Sequence, residues 1–375
     1  MGRETPTRSS YETAKLARGI TGVKNVTRAA EQEAGRTGKL RITVDPSAYD
    51  TIRYSLIRLD PTPDDKFVVT VGCPMDIESI CDTTGSMGGN VDVAMRVLPD
   101  TYDLISKMLP GYDPQLALGI FGDVSDRWVL QRPQFEMTSD KLVSYLNDMV
   151  PERRGGDAPE DPQFGLFGAA YLTAAYTNRI GLKGYHFTIS DAPGREYGLS
   201  TGALKKVFGR NVYDLVSKNG YQINPDHLPS TKELVRHLLK RTHAFFLQVG
   251  AGPDTRRFWK DIYGANRVVA IPDTEYLPHV KAVIIGLTEG TIGMSGVRNF
   301  LVENNLSAPM AESIAKAVAN IPLFEQRILR EKLVHPVPKA GDIFKDKADL
   351  WPVDAAKTPE ELVRETPEEP PQGWL

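Results

Sequence analysis

The chain has 375 residues, 41% of them hydrophobic and 25% charged, which is the composition of a globular protein and excludes a fully disordered or fibrous one. Its length predicts one or two domains. The formal net charge of −3 provides no overall attraction to nucleic acid or to an anionic membrane, so both classes of partner are disfavoured.

The two ends of the chain differ in charge. Residues 1–40 contain eight Lys/Arg and four Glu, whereas residues 341–375 contain nine Asp/Glu and four Lys/Arg. We predict a partly helical N-terminal arm over residues 1–64 and an acidic, Pro-rich tail over residues 341–375, both as solvated extensions. Nucleic-acid binding by the basic arm is the weaker alternative, because it depends only on this local excess of charge.

The cysteines and the N-terminus bear on location. Cys73 and Cys81 are eight positions apart, a spacing that fits neither a zinc cluster nor a disulfide framework. The first residues contain no apolar signal segment, and no apolar run is long enough to cross a membrane. We therefore expect reduced thiols in a cytoplasmic protein.

The N-terminal arm ends with two ambiguous stretches, after which the pattern becomes regular. Residues 39–44 could form a strand, and Tyr49, Ile52, Leu56 and Ile57 fall on one helical face. Strands and helices then follow one another. The predicted elements of this half are strands 67–71 and 75–82, helix 91–108, strands 115–123 and 128–135, and helix 138–149.

The second half continues this alternation. Its predicted elements are helix 162–176, strand 184–191, a mostly helical insertion at about 192–230, helix 231–241, strand 243–250, helix 254–264, strand 267–271 and helix 274–288. We predict an α/β domain over residues 65–290, with a doubly wound, mainly parallel, Rossmann-like sheet, one antiparallel edge strand and helices on both faces. Residues 291–340 are predicted to form a C-terminal helical extension whose apolar stripes pack on the core.

Oxygen-bearing side chains alternate at the end of the strand that contains Cys81. Asp82, Thr84 and Ser86 are spaced by two, so an extended or turning backbone points all three to one side. The glycines that follow permit positive φ and close approach. Carboxylate and hydroxyl oxygens suit Mg²⁺, or else Mn²⁺ or Ca²⁺, and the absence of His and Cys ligands disfavours zinc.

Two further aspartates occupy loops that are expected to reach the same place. Asp157 follows the glycines of "RRGGDAPED", and Asp191 ends the strand "YHFTIS". In a parallel α/β sheet, ligands bind at the carboxyl ends of the strands, where the strand order reverses. We therefore predict that Asp82, Asp157 and Asp191 converge there.

The segments "DTTGSM", "GGDAPED" and "ISDAPGR" together resemble the von Willebrand factor A-type (vWA) domain family with a metal-ion-dependent adhesion site, over about residues 65–290. The resemblance implies that Asp82, Thr84 and Ser86 form the first ligand motif, that Asp157 stands where relatives often have Thr, and that Asp191 is the third contribution. The extra carboxylate of Asp157 leads us to expect firmer cation binding but a weaker pull on a partner's carboxylate.

The resemblance also implies a kind of partner. Members of the family bind a partner protein that supplies the last ligand of the ion. Because the chain lacks a secretion signal, we compare it with the intracellular members, which work with AAA+ ATPases, kinases or other effectors. The 192–230 insertion and the helices after residue 291 are then expected to determine partner specificity.

Other polar residues near these motifs have simpler interpretations. Asp123 in "FGDVSDRW" is either a group that supports the ligands or the start of an Asx-turn. Glu160 and Asp161 are more typical of charges at a helix start. Glu78 lies in a predicted central strand and needs a partner if it is buried; an edge or barely buried position is one explanation. Cys81 is interpreted as a small buried hydrophobe.

An enzymatic function is the alternative to an interaction module. A Mg²⁺ ion ringed by aspartates on an α/β sheet is also found in hydrolases and phosphotransferases. However, Thr84 stands where haloacid-dehalogenase-type phosphatases carry a second Asp, and the sequence contains no phosphate-binding P-loop motif or nucleophile-elbow motif. We therefore favour the interaction module over the enzyme.

Overall fold

The structure is a computed structural model that describes residues 7–19, 28–48, 52–56, 59–61, 67–69, 73–152, 159–250 and 252–333. Within these residues the chain contains ten strands and fifteen α-helices. Asp157, the second-loop ligand predicted above, lies outside the described residues.

The strands are short at the N-terminal end and longer in the centre of the domain. They are β1 (Arg53–Tyr54), β2 (Leu59–Pro61), β3 (Phe67–Val69), β4 (Cys73–Asp82), β5 (Tyr112–Phe121), β6 (Leu130–Gln131), β7 (Thr173–Ala174), β8 (Gly184–Ser190), β9 (Thr242–Val249) and β10 (Val268–Ile271).

The helices alternate with the central strands and continue beyond the last one. They are α1 (Arg8–Ala17), α2 (Arg28–Thr37), α3 (Asn90–Arg96), α4 (Leu98–Met108), α5 (Ser139–Asp148), α6 (Gln163–Tyr171), α7 (Tyr176–Arg179), α8 (Thr201–Phe208), α9 (Val212–Lys218), α10 (Thr231–Arg241), α11 (Pro253–Tyr263), α12 (Leu277–Glu289), α13 (Met294–Glu303), α14 (Ala308–Ala317) and α15 (Glu325–Glu331). None of the helices in the described residues is long and apolar enough to cross a membrane.

Six strands form the central sheet in the order β10-β9-β8-β4-β5-β6. All neighbours pair in parallel except β6, which runs antiparallel to β5 at one edge. The prediction of a mainly parallel α/β sheet with one antiparallel edge strand is therefore confirmed. The short strands pair separately, β1 with β7 and β2 with β3.

The two faces of β4 pack against different helices because successive side chains point to opposite sides of the sheet. Met75 and Ile77 belong to the apolar core that also contains α4 and α12, whereas Ile80 belongs to the core with α6 and α10. Gly165 lets α6 approach closely, since a Cβ there would lie 2.6 Å from the Ile80 Cδ1 atom. Helices therefore cover both faces of the strand that leads to Asp82.

Glu78 is buried in the middle of β4, with 5% of its surface exposed, so the explanation by an edge or barely buried position is wrong. Its carboxylate accepts a hydrogen bond from Arg132 at 2.6 Å and lies 3.7 Å from the His186 ring. Burial favours the neutral acid, but the charge of Arg132 and the contact with His186 outweigh it and lower the pKa of Glu78 to about 2. The sequence pattern alone did not identify this partner.

Three local predictions before the main sheet and along its edge were wrong. Residues 39–44 form no strand, and Ile52 precedes the short strand β1 instead of lying in a helix. The strand predicted over residues 128–135 is reduced to β6, because the Arg132 N–H donates to the Val44 carbonyl at 2.9 Å and Pro133 has no N–H to donate. Tertiary contacts override strand propensity at this edge.

The segments outside the βα alternation pack on the same two cores. The insertion contains α8 and α9, and Phe208 and Val212 are buried beside α6. In the C-terminal extension, Val297 and Ile314 are buried in the core with α4 and α12, as predicted. The Gln326 side chain at the start of α15 donates to the Lys183 carbonyl at 2.8 Å, which ties this helix to the start of β8.

Candidate metal centre

Asp82 and Asp191 lie next to each other at the point where the strand order reverses. Asp82 is the last residue of β4, and Asp191 directly follows β8. These two strands pair in parallel, while the chain continues from β4 to β5 on one side and from β8 to β9 on the other. Crevices at such positions are the usual ligand-binding sites of open α/β sheets.

Two hydrogen bonds and one close contact connect the side chains of the first motif and Asp191. The Thr84 hydroxyl donates to the Asp82 Oδ1 atom at 2.7 Å and lies 3.4 Å from the Ser86 hydroxyl. The Ser86 hydroxyl donates to the Asp191 Oδ1 atom at 2.9 Å. The structure therefore brings together four of the five predicted ligands, and all four contribute oxygen.

The loop after β4 is shaped by its own sequence. Residues Gly85–Met87 form one 3₁₀ turn, and the Met87 side chain is buried in the core. Gly88 has φ of +50°, a conformation that side chains with a Cβ rarely adopt. The Thr83 N–H and hydroxyl both donate to the Phe121 carbonyl at 2.9 Å. With these contacts, Ser86 is exposed at the carboxyl end of the sheet, whereas Asp82 is buried.

The loop after β8 is held by Ser190 and by helix α11. The Ser190 hydroxyl donates to the Asp82 Oδ2 atom at 2.6 Å. The Thr255 hydroxyl donates to the Asp191 carbonyl at 3.0 Å, and the Trp259 indole N–H donates to the Ala192 carbonyl at 2.9 Å. Ser190 therefore holds the Asp82 carboxylate, and α11 holds the backbone of the loop that carries Asp191.

Glu160 lies beside the first motif, although the sequence suggested only a helix-start charge. Its backbone pairs with the loop after β8, since the Glu160 N–H donates to the Pro193 carbonyl at 2.9 Å and its carbonyl accepts from the Arg195 N–H at 3.1 Å. The side chain is 5% exposed, and its Oε2 atom has no hydrogen-bond partner among the described residues. This buried carboxylate oxygen is available to a water molecule or an ion.

The carboxyl groups of Glu160 and Asp82 hold their protons more firmly than ordinary carboxyl groups. Burial and the nearby charge of Asp82 raise the pKa of Glu160 to about 8, with smaller raising contributions from Asp123 and Asp161. Burial also raises the pKa of Asp82 to about 6, although hydrogen bonds from Ser190 and Thr84 oppose it. A bound cation would relieve this concentration of negative charge.

Asp123 and Asp161 hold neighbouring loops together. The Asp123 Oδ1 atom accepts from the Ser125 N–H at 2.9 Å, which is the Asx-turn expected as one interpretation. Arg195 bridges the two carboxylates, at 3.4 Å from Asp123 and 3.0 Å from Asp161. Among the described contacts, none joins Asp123 to Asp82 or Ser86 by a hydrogen bond.

The donor set fits a hard divalent cation better than zinc. Within the described residues, no three or more His, Cys, Asp or Glu side chains group in a metal-binding arrangement, so a cation here would need the Thr84 and Ser86 hydroxyls as well as Asp82 and Asp191. Such a mixed set of carboxylate and hydroxyl oxygens is typical of sites for hard divalent cations.

We expect cation binding to weaken as the pH falls from 8 to 6, because the cation must displace protons from Glu160 and Asp82. The apparent affinity should decrease by about tenfold per pH unit for each proton displaced. Titration calorimetry with Mg²⁺ at several pH values measures this, and Glu160→Gln should reduce the slope between pH 7 and 8. An affinity that is the same at pH 6 and pH 8 would contradict the assignment.

Comparisons with known proteins find similarity only among solved structures. No family model matches the chain, and no curated protein matches it. Proximal thread matrix protein 1 from the mussel byssus aligns at 15% identity and a TM-score of 0.37, over 59% of this chain and 47% of that chain. Another structure of that protein has zinc in its MIDAS motif.

Two pilus proteins are also similar. The adhesin SpaC from Lactobacillus rhamnosus GG aligns at 13% identity and a TM-score of 0.40, over 61% of this chain and 33% of that chain. The vWF domain of the pilus tip protein Mfa5 from Porphyromonas gingivalis aligns at 12% identity and 0.37, over 60% of this chain and 97% of that domain. The chain thus covers less than half of the mussel and SpaC chains. At these scores the likenesses carry no argument about function.

Proposed function

We propose that this chain is a vWA-type module that binds a partner protein through a divalent cation, Mg²⁺ or else Mn²⁺ or Ca²⁺. The observation that carries the proposal is the convergence of Asp82, Thr84, Ser86 and Asp191 at the switch point of the sheet, linked by hydrogen bonds of 2.7 and 2.9 Å and by a 3.4 Å contact between the two hydroxyls. Asp157 is proposed as a fifth ligand from the loop that precedes Glu160.

Each residue has a distinct role in this proposal. Asp82 and Asp191 supply negative charge, and Thr84 and Ser86 supply neutral oxygens that accept from no other group once they donate to these carboxylates. Glu160 offers its unpartnered Oε2 atom, either to the cation or to a water bound on it. A cation held by these residues would supply positive charge that attracts a carboxylate of the partner.

The nature of the partner is proposed from the resemblance of the sequence motifs to intracellular vWA proteins. By that resemblance the partner is an effector in a multiprotein system, such as an AAA+ ATPase or a kinase, in the cytoplasm. Ser86 is exposed at the carboxyl end of the sheet. This supports a protein partner, because the surface of another protein can reach it. An enzyme remains the alternative, and the experiment below separates the two.

The test is affinity capture from native lysate with the full chain, in Mg²⁺ and in EDTA. The Ser86→Ala variant removes a hydroxyl that contacts Asp191 at 2.9 Å. The matched control is Ser217→Ala, which removes an exposed hydroxyl whose hydrogen bond among the described residues stays within α9, to the Tyr213 carbonyl. We expect a partner that is retained by the parent and by Ser217→Ala in Mg²⁺, and lost in EDTA and with Ser86→Ala.

Two outcomes would contradict the interaction module. Capture that is equal in Mg²⁺ and EDTA would show that the partner does not need the cation. Release of phosphate from phosphoester substrates by the purified chain in Mg²⁺, abolished by Asp82→Ala, would instead favour the hydrolase.

A further inference from the structure

Arg195 connects the loops that surround the candidate metal site. It lies four positions after Asp191, and its Nε atom donates to the Asp161 Oδ1 atom at 3.0 Å. A second guanidinium nitrogen, Nη2, donates to the Asp123 Oδ2 atom at 3.4 Å, and the backbone N–H of Arg195 donates to the Glu160 carbonyl at 3.1 Å. One residue of the loop after β8 therefore contacts both the loop after β5 and the loop before α6.

The two carboxylates that hold the guanidinium group are buried. The Asp123 side chain is 2% exposed and the Asp161 side chain is 0% exposed, whereas the Arg195 side chain is 28% exposed. Asp161 directly follows Glu160 in the chain. Buried charges of the same sign disfavour each other unless a positive charge compensates them. The guanidinium of Arg195 provides that charge, and its planar group of donors contacts both carboxylates at once.

Loss of the guanidinium would affect the two carboxylates differently. Asp161 also accepts hydrogen bonds from the Val124 N–H at 2.6 Å and from the Gln163 side chain, so it would keep two donors. The Asp123 Oδ2 atom accepts from Arg195, and the described contacts give that oxygen no other donor. Without the guanidinium, Asp123 would hold a buried negative charge with one oxygen unsatisfied. A second cation could meet that need, since a divalent ion binds carboxylate oxygens.

We propose that Arg195 takes the place of a second cation and so limits the centre to one ion, held by Asp82 and Asp191. This inference rests on the proposed function and deepens it, because it sets the number of ions that the module holds. In the protein as it is, Asp123 and Asp161 bind the guanidinium instead of competing for the ion. Arg195 acts on the ion through these two carboxylates, so it is a positioning residue.

The same arrangement favours the carboxylate of a partner. Each uncompensated negative charge near the ion weakens the attraction between the ion and another carboxylate. Because Arg195 compensates Asp123 and Asp161, the ion keeps more of its positive charge for the partner.

The test counts the ions bound by the full chain, by titration calorimetry with Mg²⁺. The parent should bind one ion. Arg195→Met removes the guanidinium but keeps an unbranched side chain and the backbone N–H that donates to Glu160, and it should bind two ions. Arg195→Lys retains the positive charge and should bind one. Arg257→Met is the matched control, because it makes the same change in an exposed pair with Asp254, and it should also bind one ion.

A double variant separates the charge of Arg195 from its contribution to the structure of the loops. Asp123→Asn in the Arg195→Met background removes the charge that the second ion would neutralise, so this protein should bind one ion again. Looser loops alone would weaken binding and would not add an ion. The number of ions is therefore a measurement that a purely structural role of Arg195 would not increase.

The remaining outcomes distinguish this inference from the proposed function. If the parent binds no ion when Mg²⁺, Mn²⁺ or Ca²⁺ is supplied, the proposed function fails and this inference with it. If the parent and Arg195→Met both bind one ion, the cation site stands and the role of Arg195 is wrong. Two ions bound by the parent, by Arg195→Lys or by the double variant would also overturn it. If Arg195→Met does not fold even in Mg²⁺, Arg195 is needed for the fold itself and the inference is wrong.

Discussion

Glu78→Gln is expected to lower the free energy of unfolding by about 3–5 kcal/mol, because it leaves the buried Arg132 charge without its counterion. Arg132 is 1% exposed and also donates to the Leu172 carbonyl and the Thr173 hydroxyl, so it cannot turn to solvent. Denaturant unfolding of the two proteins at neutral pH measures the difference.

The control and the pH dependence make this prediction specific. Glu331→Gln breaks the exposed pair with Arg327 and should cost no more than about 1 kcal/mol. Glu78 has a pKa lowered from 4.5 to about 2 in the folded protein, so its contribution is complete above pH 4.5 and is lost as the pH falls towards 2. The parent and Glu78→Gln should therefore converge in acid. If the free energies of unfolding of the parent and Glu78→Gln differ by less than about 1 kcal/mol at neutral pH, the ion pair of Glu78 and Arg132 does not stabilise the fold as expected.

Asp82→Asn is expected to weaken Mg²⁺ binding by at least about 100-fold while the domain stays folded. The change removes a buried negative charge from the proposed ligand set and keeps the oxygen that accepts from Thr84. Because burial raises the pKa of Asp82 to about 6, the neutral amide should be tolerated well by the cation-free protein. Calorimetric titration with Mg²⁺ gives the affinity, and thermal unfolding in EDTA gives the stability.

Asp254→Asn is the matched control for this experiment, since it makes the same change on the surface of α11, where the carboxylate is 81% exposed. It should bind Mg²⁺ like the parent. If Asp82→Asn binds Mg²⁺ with unchanged affinity, Asp82 is not a ligand and the proposed site is wrong. Loss of folding in EDTA would instead show that Asp82 is needed for the structure itself.

The central sheet was predictable because its strands are buried on both faces. β4, β5, β8 and β9 are runs of mostly buried residues, and parallel strands of this kind give strong, nearly continuous apolar signals. The alternation with helices then fixed the α/β class. The edge of the sheet was harder to predict, because the length of β6 depends on the hydrogen bond from the Arg132 N–H to the Val44 carbonyl. A local sequence pattern does not contain that information.

The candidate site was predictable to the extent that its residues end strands. Asp82 and Asp191 directly follow apolar runs, and their proximity comes from sheet topology. Glu160 lies in an irregular loop whose path is set by backbone pairing with Pro193 and Arg195, so its orientation could not be derived from spacing. Its position three residues after Asp157 was the available signal. Similarly, Arg132 is 54 positions from Glu78, and only the assembled fold joins them.

The hydrogen bond from Ser190 to Asp82 spans 108 positions, and this separation has a consequence for how the protein is made. A nascent chain that has emerged from the ribosome up to β5 contains Asp82, Thr84 and Ser86. It does not yet contain β8, which carries the rest of the site. Since such distant contacts form late, the oxygens gather only after β8 has been synthesised and has joined β4. An ion bound there would therefore mainly slow the unfolding of the folded domain and would have little effect on its folding rate.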